Sequence, residues 1–442
     1  MSAPDAALAS WVEETIGGTI SSWERPPSGG SREAYFVNVA MPSGDTVQAL
    51  LRMEAGGSFT GTDINVSKEA TAYTALGDAG ARVPKVYGLA PGGTALLLER
   101  VAGRGDLGDG PDERQRTLED FIDVIGDVHL IEPDSLDLPG FPRPRTPEDH
   151  ARLDLEGWAR LAAERVMDLD PLARYAGAWL LSHAPTAVAR TSFVQGDTGP
   201  GNFVADHGRI TALCDLEFSH IGDPMDDIAW MLGRAFGHDK AEALPFLERY
   251  TARTGIPVDW SSVEFYNIAV QYRCAITTSL AVSRGGGARG WPPYLFATQR
   301  YLRALATTLA PRLGIDERAP TLSETVVSTP RSCWYDAVIE ALRAGAKAIP
   351  DPDAAAETRN HQILIHYLKA YDRVGPIVEA ENAADLGETM HLDTEGDEFA
   401  KRVEDAGAAG DLDVARFLLR RQNRIDLLWQ TLFERKAVNR SA

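Results

Sequence analysis

Between residues 195 and 227 the chain sets acids and an amide at fixed intervals. Gln195-Gly196-Asp197 is followed by four residues and Asn202, then by Asp215-Leu216-Glu217, then by Gly222-Asp223-Pro224-Met225-Asp226-Asp227. The carboxamide of Asn202 and the carboxylate of Asp215 are hard oxygen donors of the kind Mg2+ selects, with a further acid, Asp197, beside them that can serve as a base. A fold that uses this set has to gather short strands and loops at one place. The rest of the sequence has to supply what the site acts on.

The 442 residues exceed one ordinary core, so two or three domains are expected. With 44% hydrophobic and 24% charged residues the composition is that of a soluble globular protein, and no stretch approaches the ~20 apolar residues of a membrane span. Asp5, Glu13 and Glu14 stand where a signal peptide would be basic and then apolar. Cys214, Cys274 and Cys333 are few and scattered, which fits a reducing cytoplasm and argues against a zinc knuckle or a disulfide framework. A formal charge of −20 argues against nucleic acid as a partner and is compatible with a cationic substrate. There is no Gly-x-x-x-x-Gly-Lys-Ser/Thr phosphate loop and no His-Glu-x-x-His zinc motif.

Periodicity predicts a short helix over 6–17, a hairpin of strands 34–39 and 46–52 around Ser43-Gly44-Asp45, a helix over 66–78, and strands at 83–87 and 94–99. One helix on an antiparallel sheet makes a small α+β lobe. From residue 115 the pattern turns helical, with Leu118, Phe121, Ile122, Ile125, Val128 and His129 on one face. Helices are expected at 151–168 and 171–189, short strands at 193–216, and helices at 224–236, 241–254, 261–284 and 290–310. Residues 313–330 read as a linker, and 334–348, 356–376, 396–408 and 411–436 as helices of a separate C-terminal module. The expected division is thus an N-lobe at 1–103, a C-lobe at 104–312, the linker, and a helical accessory domain at 331–442.

Phosphoryl transfer from a nucleotide needs a cover over the phosphates, a cation on their oxygens, metal ligands, and a carboxylate to orient the attacking hydroxyl. Gly29-Gly30-Ser31 could let backbone approach phosphate, although an ordinary hairpin turn is the commoner use of such a stretch. Arg52 ends an apolar strand and could reach phosphate or stay at the surface; Glu69 could pair with it or be an ordinary helical glutamate.

The 195–227 segment resembles the Brenner-type loop of the aminoglycoside phosphotransferase (APH-like) family, whose pattern is His-Gly-Asp, four residues, Asn, then Asp-x-Glu, then Gly-Asp-Pro-x-x-Asp. Ser28-Gly29-Gly30-Ser31, Leu51-Arg52-Met53, Glu69, Val83-Pro84-Lys85-Val86, Leu98-Glu99-Arg100-Val101-Ala102-Gly103 and Val128-His129 look like that family too, so the resemblance spans roughly residues 20–310. It implies an α+β, bilobal, protein-kinase-like fold with a β-rich N-lobe and a larger helical C-lobe, here followed by an all-α module, and ATP or a related nucleotide with Mg2+. By motif position Asp197 becomes the catalytic carboxylate and Asn202 and Asp215 the magnesium ligands. Gly29, Gly30, Ser31, Arg52, Glu69 and the backbone of Glu99, Arg100 and Val101 become the nucleotide contacts. Gln195, Glu217, Asp223 and Asp227 become supporting groups. Two positions depart from the pattern. Gln195 replaces a histidine that hydrogen-bonds the magnesium loop, and Arg52 stands where many members carry lysine.

The resemblance implies a small-molecule hydroxyl acceptor. Met53-Glu54-Ala55-Gly56-Gly57 and the Glu99-Arg100-Val101 segment look closer to the branch associated with acyl-CoA metabolism, which makes a hydroxyacyl-CoA thioester the expected acceptor. The alternatives are an aminoglycoside and a nucleotide-binding scaffold without turnover. Arg416, Arg420 and Arg424, with Arg421, Arg435 and Lys436 nearby, form a basic stripe that could meet coenzyme A phosphates or be solvated or paired with neighbouring acids. Whether the C-terminal module caps the site or makes a homodimer is left open by the sequence.

Overall fold

A computed structural model describes residues 6–25, 32–54, 59, 62–283, 291–316 and 329–440. The N-terminal amphipathic segment forms helix α1 (Ala6–Ile16), which ends where Gly17 enters the left-handed region at φ +83°. Strands β1 (Thr19–Glu24), β2 (Glu33–Ala40) and β3 (Thr46–Met53) follow. In β2, Tyr35, Val37 and Val39 are buried while the residues between them are less so, the period of two that a strand with one covered face requires. β2 and β3 pair antiparallel from Glu33–Met53 to Ala40–Thr46, closed by the expected turn with Gly44 at φ +92°.

Helix α2 (Val66–Asp78) starts at Asn65, whose side chain accepts from the Lys68 amide. β4 (Val86–Leu89) and β5 (Ala95–Glu99) complete an antiparallel sheet of order β1-β2-β3-β5-β4. Val12 of α1 packs with Tyr35, Val37, Val39, Leu51 and Leu97 to form its core. β1 is a strand the sequence reading did not anticipate. It is an exposed edge, half-burying only Ile20 and Trp23, so it shows no run of alternating apolar residues.

Helix α3 (Pro111–Leu130) opens with proline and two acids and buries the whole expected face from Leu118 to His129. Helices α4 (Asp149–Arg165) and α5 (Pro171–Ser182) follow. α5 stops seven residues before the expected end, because Pro185 disfavours helical geometry at the residue before it. Four short strands come next: β6 (Ser192–Val194), β7 (Phe203–Asp206), β8 (Arg209–Leu213) and β9 (His220–Gly222), pairing antiparallel as β6–β9 and β7–β8. Helices α6 (Met225–Phe236), α7 (Lys240–Thr254), α8 (Trp260–Ser283) and α9 (Pro292–Arg312) lie close to their expected positions.

The C-terminal part holds α10 (Ser332–Ala348), α11 (Pro352–Asn360), α12 (Gln362–Met390), α13 (Asp397–Ala409) and α14 (Leu412–Arg440). The single helix expected over 356–376 is two helices divided at His361, and the second continues through Pro376 to Met390. Proline normally ends a helix, and here Val374 and Val378 on either side are buried in a core with Phe296, Leu428 and Trp429. The stripe on α14 is engaged by acids. Arg420 contacts Asp385 at 2.6 Å, Arg424 contacts Asp385 at 2.9 Å, Arg421 contacts Glu395 at 2.8 Å and Arg416 contacts Asp413 at 3.1 Å. The side chains of Arg435 and Lys436 lie outside the described ones.

By packing, the chain falls into two units, residues 1–154 with 185–267 and residues 155–184 with 268–442. The sheet, α2, α3, β6–β9, α6 and α7 all belong to the first. Among the described residues no helix is long and apolar enough to cross a membrane.

Candidate active site

The loop after β6 is held by one buried acid. Asp227, in the first turn of α6, accepts from the Gln195 amide at 2.8 Å, the Gly196 amide at 2.9 Å and the Thr198 hydroxyl. His129 of α3 reaches it through Nε2 at 3.1 Å, and the other ring nitrogen lies 2.8 Å from the Tyr250 hydroxyl of α7. Asp227 is fully buried, and these donors satisfy a carboxylate that would otherwise be costly to keep out of water. Gly196 sits at φ +84°, and a Cβ there would strike the Phe218 carbonyl, so the turn requires glycine.

This anchoring presents Asp197. Its Oδ2 accepts from Asn202 Nδ2 at 2.6 Å, and the same amide reaches the Asp197 carbonyl at 2.8 Å. Arg234 of α6 donates to the Asp197 carboxylate, to the Asp197 carbonyl at 2.9 Å and to the Pro200 carbonyl at 2.7 Å. Burial pushes the Asp197 carboxyl up to about 6, and Arg234 keeps it from rising further.

Gln195 ties this loop to the next. Its Nε2 donates to the carbonyls of Asn202 at 3.1 Å and Cys214 at 2.8 Å, and the Cys214 amide donates to the Asn202 carbonyl at 2.9 Å. Gln195 Oε1 is buried without a hydrogen bond among the described residues. Beside Cys214, Asp215 adopts φ +58°, a left-handed conformation uncommon outside glycine. Its amide donates to the Tyr73 hydroxyl of α2 at 2.8 Å, and its Oδ1 accepts from Arg52 Nη2 at 2.9 Å. With the Asn202 amide nitrogen engaged by Asp197, Asn202 Oδ1 and Asp215 Oδ2 accept no hydrogen bond among the described residues. These two hard oxygens suit an oxygen-seeking cation.

Arg52, on β3, is the centre of the charge array. It pairs with Glu69 of α2 at 3.2 Å, with Asp215 at 2.9 Å and with Glu217 at 3.6 Å. Burial works against its charge, but the three carboxylates prevail and hold its pKa well above the ordinary value. Glu217 also pairs with Arg32 at 3.2 Å, and Arg32 in turn with Glu54 at 2.9 Å. Burial, with Asp215 beside it, pushes Glu217 up to about 8 against the pull of Arg52 and Arg32.

The structure therefore brings Gln195, Asp197, Asn202, Asp215, Glu217, Asp227, Arg52 and Glu69 into one connected network. Asp223 stands at its margin, where its carboxylate accepts from the Met225 amide at 2.9 Å at the start of α6. Glu99, Arg100 and Val101 make no hydrogen bond or ion pair with the network among the described residues. The Glu99 carboxylate accepts from the Lys85 amide at 3.2 Å and the Arg100 guanidinium lies 3.8 Å over the Phe36 ring, so this segment offers a ligand mainly its backbone. Gly29, Gly30 and Ser31 lie outside the described residues.

Sequence reasoning missed Arg234, Tyr73 and Arg32. Two of them carried a signal in helical spacing. Arg234 lies seven residues after Asp227 and Tyr73 four after Glu69, which puts each on the face of a residue already singled out.

Residues 22–266, more than half of the chain, match the model of the phosphotransferase enzyme family known as APH. The chain belongs to that family. As an APH-family member it is a small-molecule phosphotransferase. No curated protein matches it. Among solved structures, a Ralstonia eutropha protein named as an aminoglycoside phosphotransferase is 21% identical with a TM-score of 0.54, over 70% of this chain and 98% of that one. The choline kinase LicA of Streptococcus pneumoniae is 18% identical with a TM-score of 0.52, over 68% of this chain and 100% of that one. At such identities these likenesses speak for the fold, which is the protein-kinase-like fold of APH phosphotransferases.

Proposed function

We propose that this APH-family protein transfers the γ-phosphate of ATP to a hydroxyl group of a small molecule, with a hydroxyacyl-CoA thioester as the acceptor. The observation that carries the reaction is the joining of Asp197, Asn202 and Asp215 through Gln195 and the Asn202 amide, with Arg52 reaching the same place from the sheet. Phosphoryl transfer asks little covalent chemistry of a protein and much positioning and charge.

In this reading Asp197 orients the acceptor hydroxyl and takes up its proton. A carboxyl raised to about 6 is a better base than an ordinary aspartate and is still ionised near neutrality. Asn202 and Asp215 hold Mg2+, which when bound neutralises phosphate charge. Arg52, kept protonated by its acids, faces the phosphates with Glu69 fixing its direction. The backbone of Glu99–Val101 meets the adenine. Gln195, Glu217, Asp223 and Asp227 fix the loops.

The acceptor rests on the resemblance of residues 53–57 and of the Glu99–Val101 segment. The α14 arginines lend it no support, because carboxylates already engage them. Aminoglycosides and choline, named for the solved relatives, are the competitors. The test is ADP release from Mg·ATP across 4-hydroxyacyl-CoA thioesters, choline and aminoglycosides. Stimulation by thioester of about tenfold or more over the acceptor-free rate supports the assignment. Stimulation by choline or an aminoglycoside alone replaces the acceptor and keeps the reaction. Nucleotide binding without turnover in every case points to the scaffold.

A further inference from the structure

Tyr73 lies on α2, outside the loops that supply the reacting groups, yet it is only 2% exposed and its hydroxyl accepts the Asp215 amide hydrogen at 2.8 Å. Asp215 needs such a partner. Its φ of +58° is uncommon for a residue other than glycine and persists only where the surroundings hold it. Cys214 next to it is pinned on the other side, its amide to the Asn202 carbonyl and its own carbonyl to Gln195. Tyr73 also stands four residues after Glu69, so one face of α2 carries the acid that pairs with Arg52 and the hydroxyl that holds Asp215. Arg52 closes the ring by contacting both acids.

We infer that Tyr73 is a positioning residue for the metal ligand Asp215, coupling helix α2 to the magnesium loop through one hydrogen bond. The inference rests on the metal-site reading given above. Its consequence is specific. The tyrosine ring packs the interior, whereas the hydroxyl sets the direction in which Asp215 presents its carboxylate. Tyr73→Phe keeps the ring and removes only the hydroxyl, leaving the Asp215 amide without its acceptor. Groups that orient a metal ligand typically govern metal affinity by ten- to a hundredfold.

The test is calorimetric titration of ADP into the full-length protein at rising Mg2+, for wild type, Tyr73→Phe and Asp215→Asn, with thermal midpoints of each. The expected result is that Tyr73→Phe needs about tenfold more Mg2+ to strengthen ADP binding, while Mg-free ADP affinity stays within about twofold. In Asp215→Asn the Mg2+ response is lost, and adding Tyr73→Phe changes nothing further. A Tyr73→Phe protein with the wild-type Mg2+ response overturns the inference. So does one whose ADP affinity falls equally with and without Mg2+, since that would mark general loosening. A wild type whose ADP affinity ignores Mg2+ overturns the metal-site reading itself, and this inference with it.

Discussion

Arg234 grips Asp197 twice, through the carboxylate and through the backbone carbonyl at 2.9 Å, while its second nitrogen holds the Pro200 carbonyl. The grip depends on the loop's glycines. A Cβ on Gly199 would lie 2.6 Å from Arg234 Cβ, and one on Gly201 3.2 Å from Nη2. The Thr-Gly-Pro-Gly stretch is thus shaped around an arginine on α6, and Asp197 is oriented from two sides, by Asn202 and by Arg234.

Arg234→Gln should therefore lower kcat for ADP release by about a hundredfold and change the nucleotide KM by less than about threefold. Arg234→Lys should recover part of the loss. Gly199→Ala should reproduce the defect by displacing the arginine. Steady-state kinetics of the three variants decide it; a raised KM with intact kcat would assign Arg234 to binding.

Arg52 holds Glu69 through one branch of its guanidinium and Asp215 through another. A lysine offers a single point charge and can serve one partner at a time. Arg52→Lys, although it brings the residue many family members carry, should raise the nucleotide KM about tenfold. An unchanged KM would show that the forked geometry has no part in binding.

Asp227 is an acceptor for four donors and is fully buried. Asp227→Asn places an amide N–H against those donors and should cost about 3 kcal/mol of stability, read as a lower urea midpoint. A midpoint within error of wild type would mean that the loop finds other partners.

Asp223 gives a pH signature. Burial, with Asp226 and Asp259 nearby, raises its carboxyl from 3.8 to about 7. A raised folded-state pKa means that the native protein holds the proton more tightly than the unfolded chain. The stabilisation is complete below about pH 4 and is lost as pH rises through about 7, a fall of the order of 4 kcal/mol. Asp223→Asn keeps the oxygen that accepts from the Met225 amide and removes the titration. Its stability should fall less steeply than wild type between pH 4 and 7 in parallel urea titrations. Identical slopes would contradict the account.

Local order along the chain was readable wherever one element decided it. The β2–β3 hairpin, the buried face of α3 and the spacing from Asp197 to Asp227 are short-range patterns, and the structure places them accordingly. What could not be read depends on contacts between distant segments. Arg32 meets Glu217 across 185 residues with no periodic mark in the sequence, and Tyr73, which meets Asp215 across 142, was marked only by its helical spacing from Glu69. β1 escaped because an exposed edge needs little apolar patterning. The continuation of α12 past Pro376 escaped because tertiary packing there overrides the residue's usual effect. The stripe on α14 was ambiguous in sequence, since its acidic partners come from α12, from the segment before α13 and from the start of α14 itself.

The central claim is that Asp197 is the catalytic carboxylate of an Mg·ATP-dependent phosphotransferase. Asp197→Asn tests it most directly, by acceptor-stimulated ADP release beside ADP affinity in the same preparation. The account predicts turnover reduced by about a thousandfold or more with ADP affinity preserved within about threefold. Wild-type turnover in the Asp197→Asn protein would contradict it.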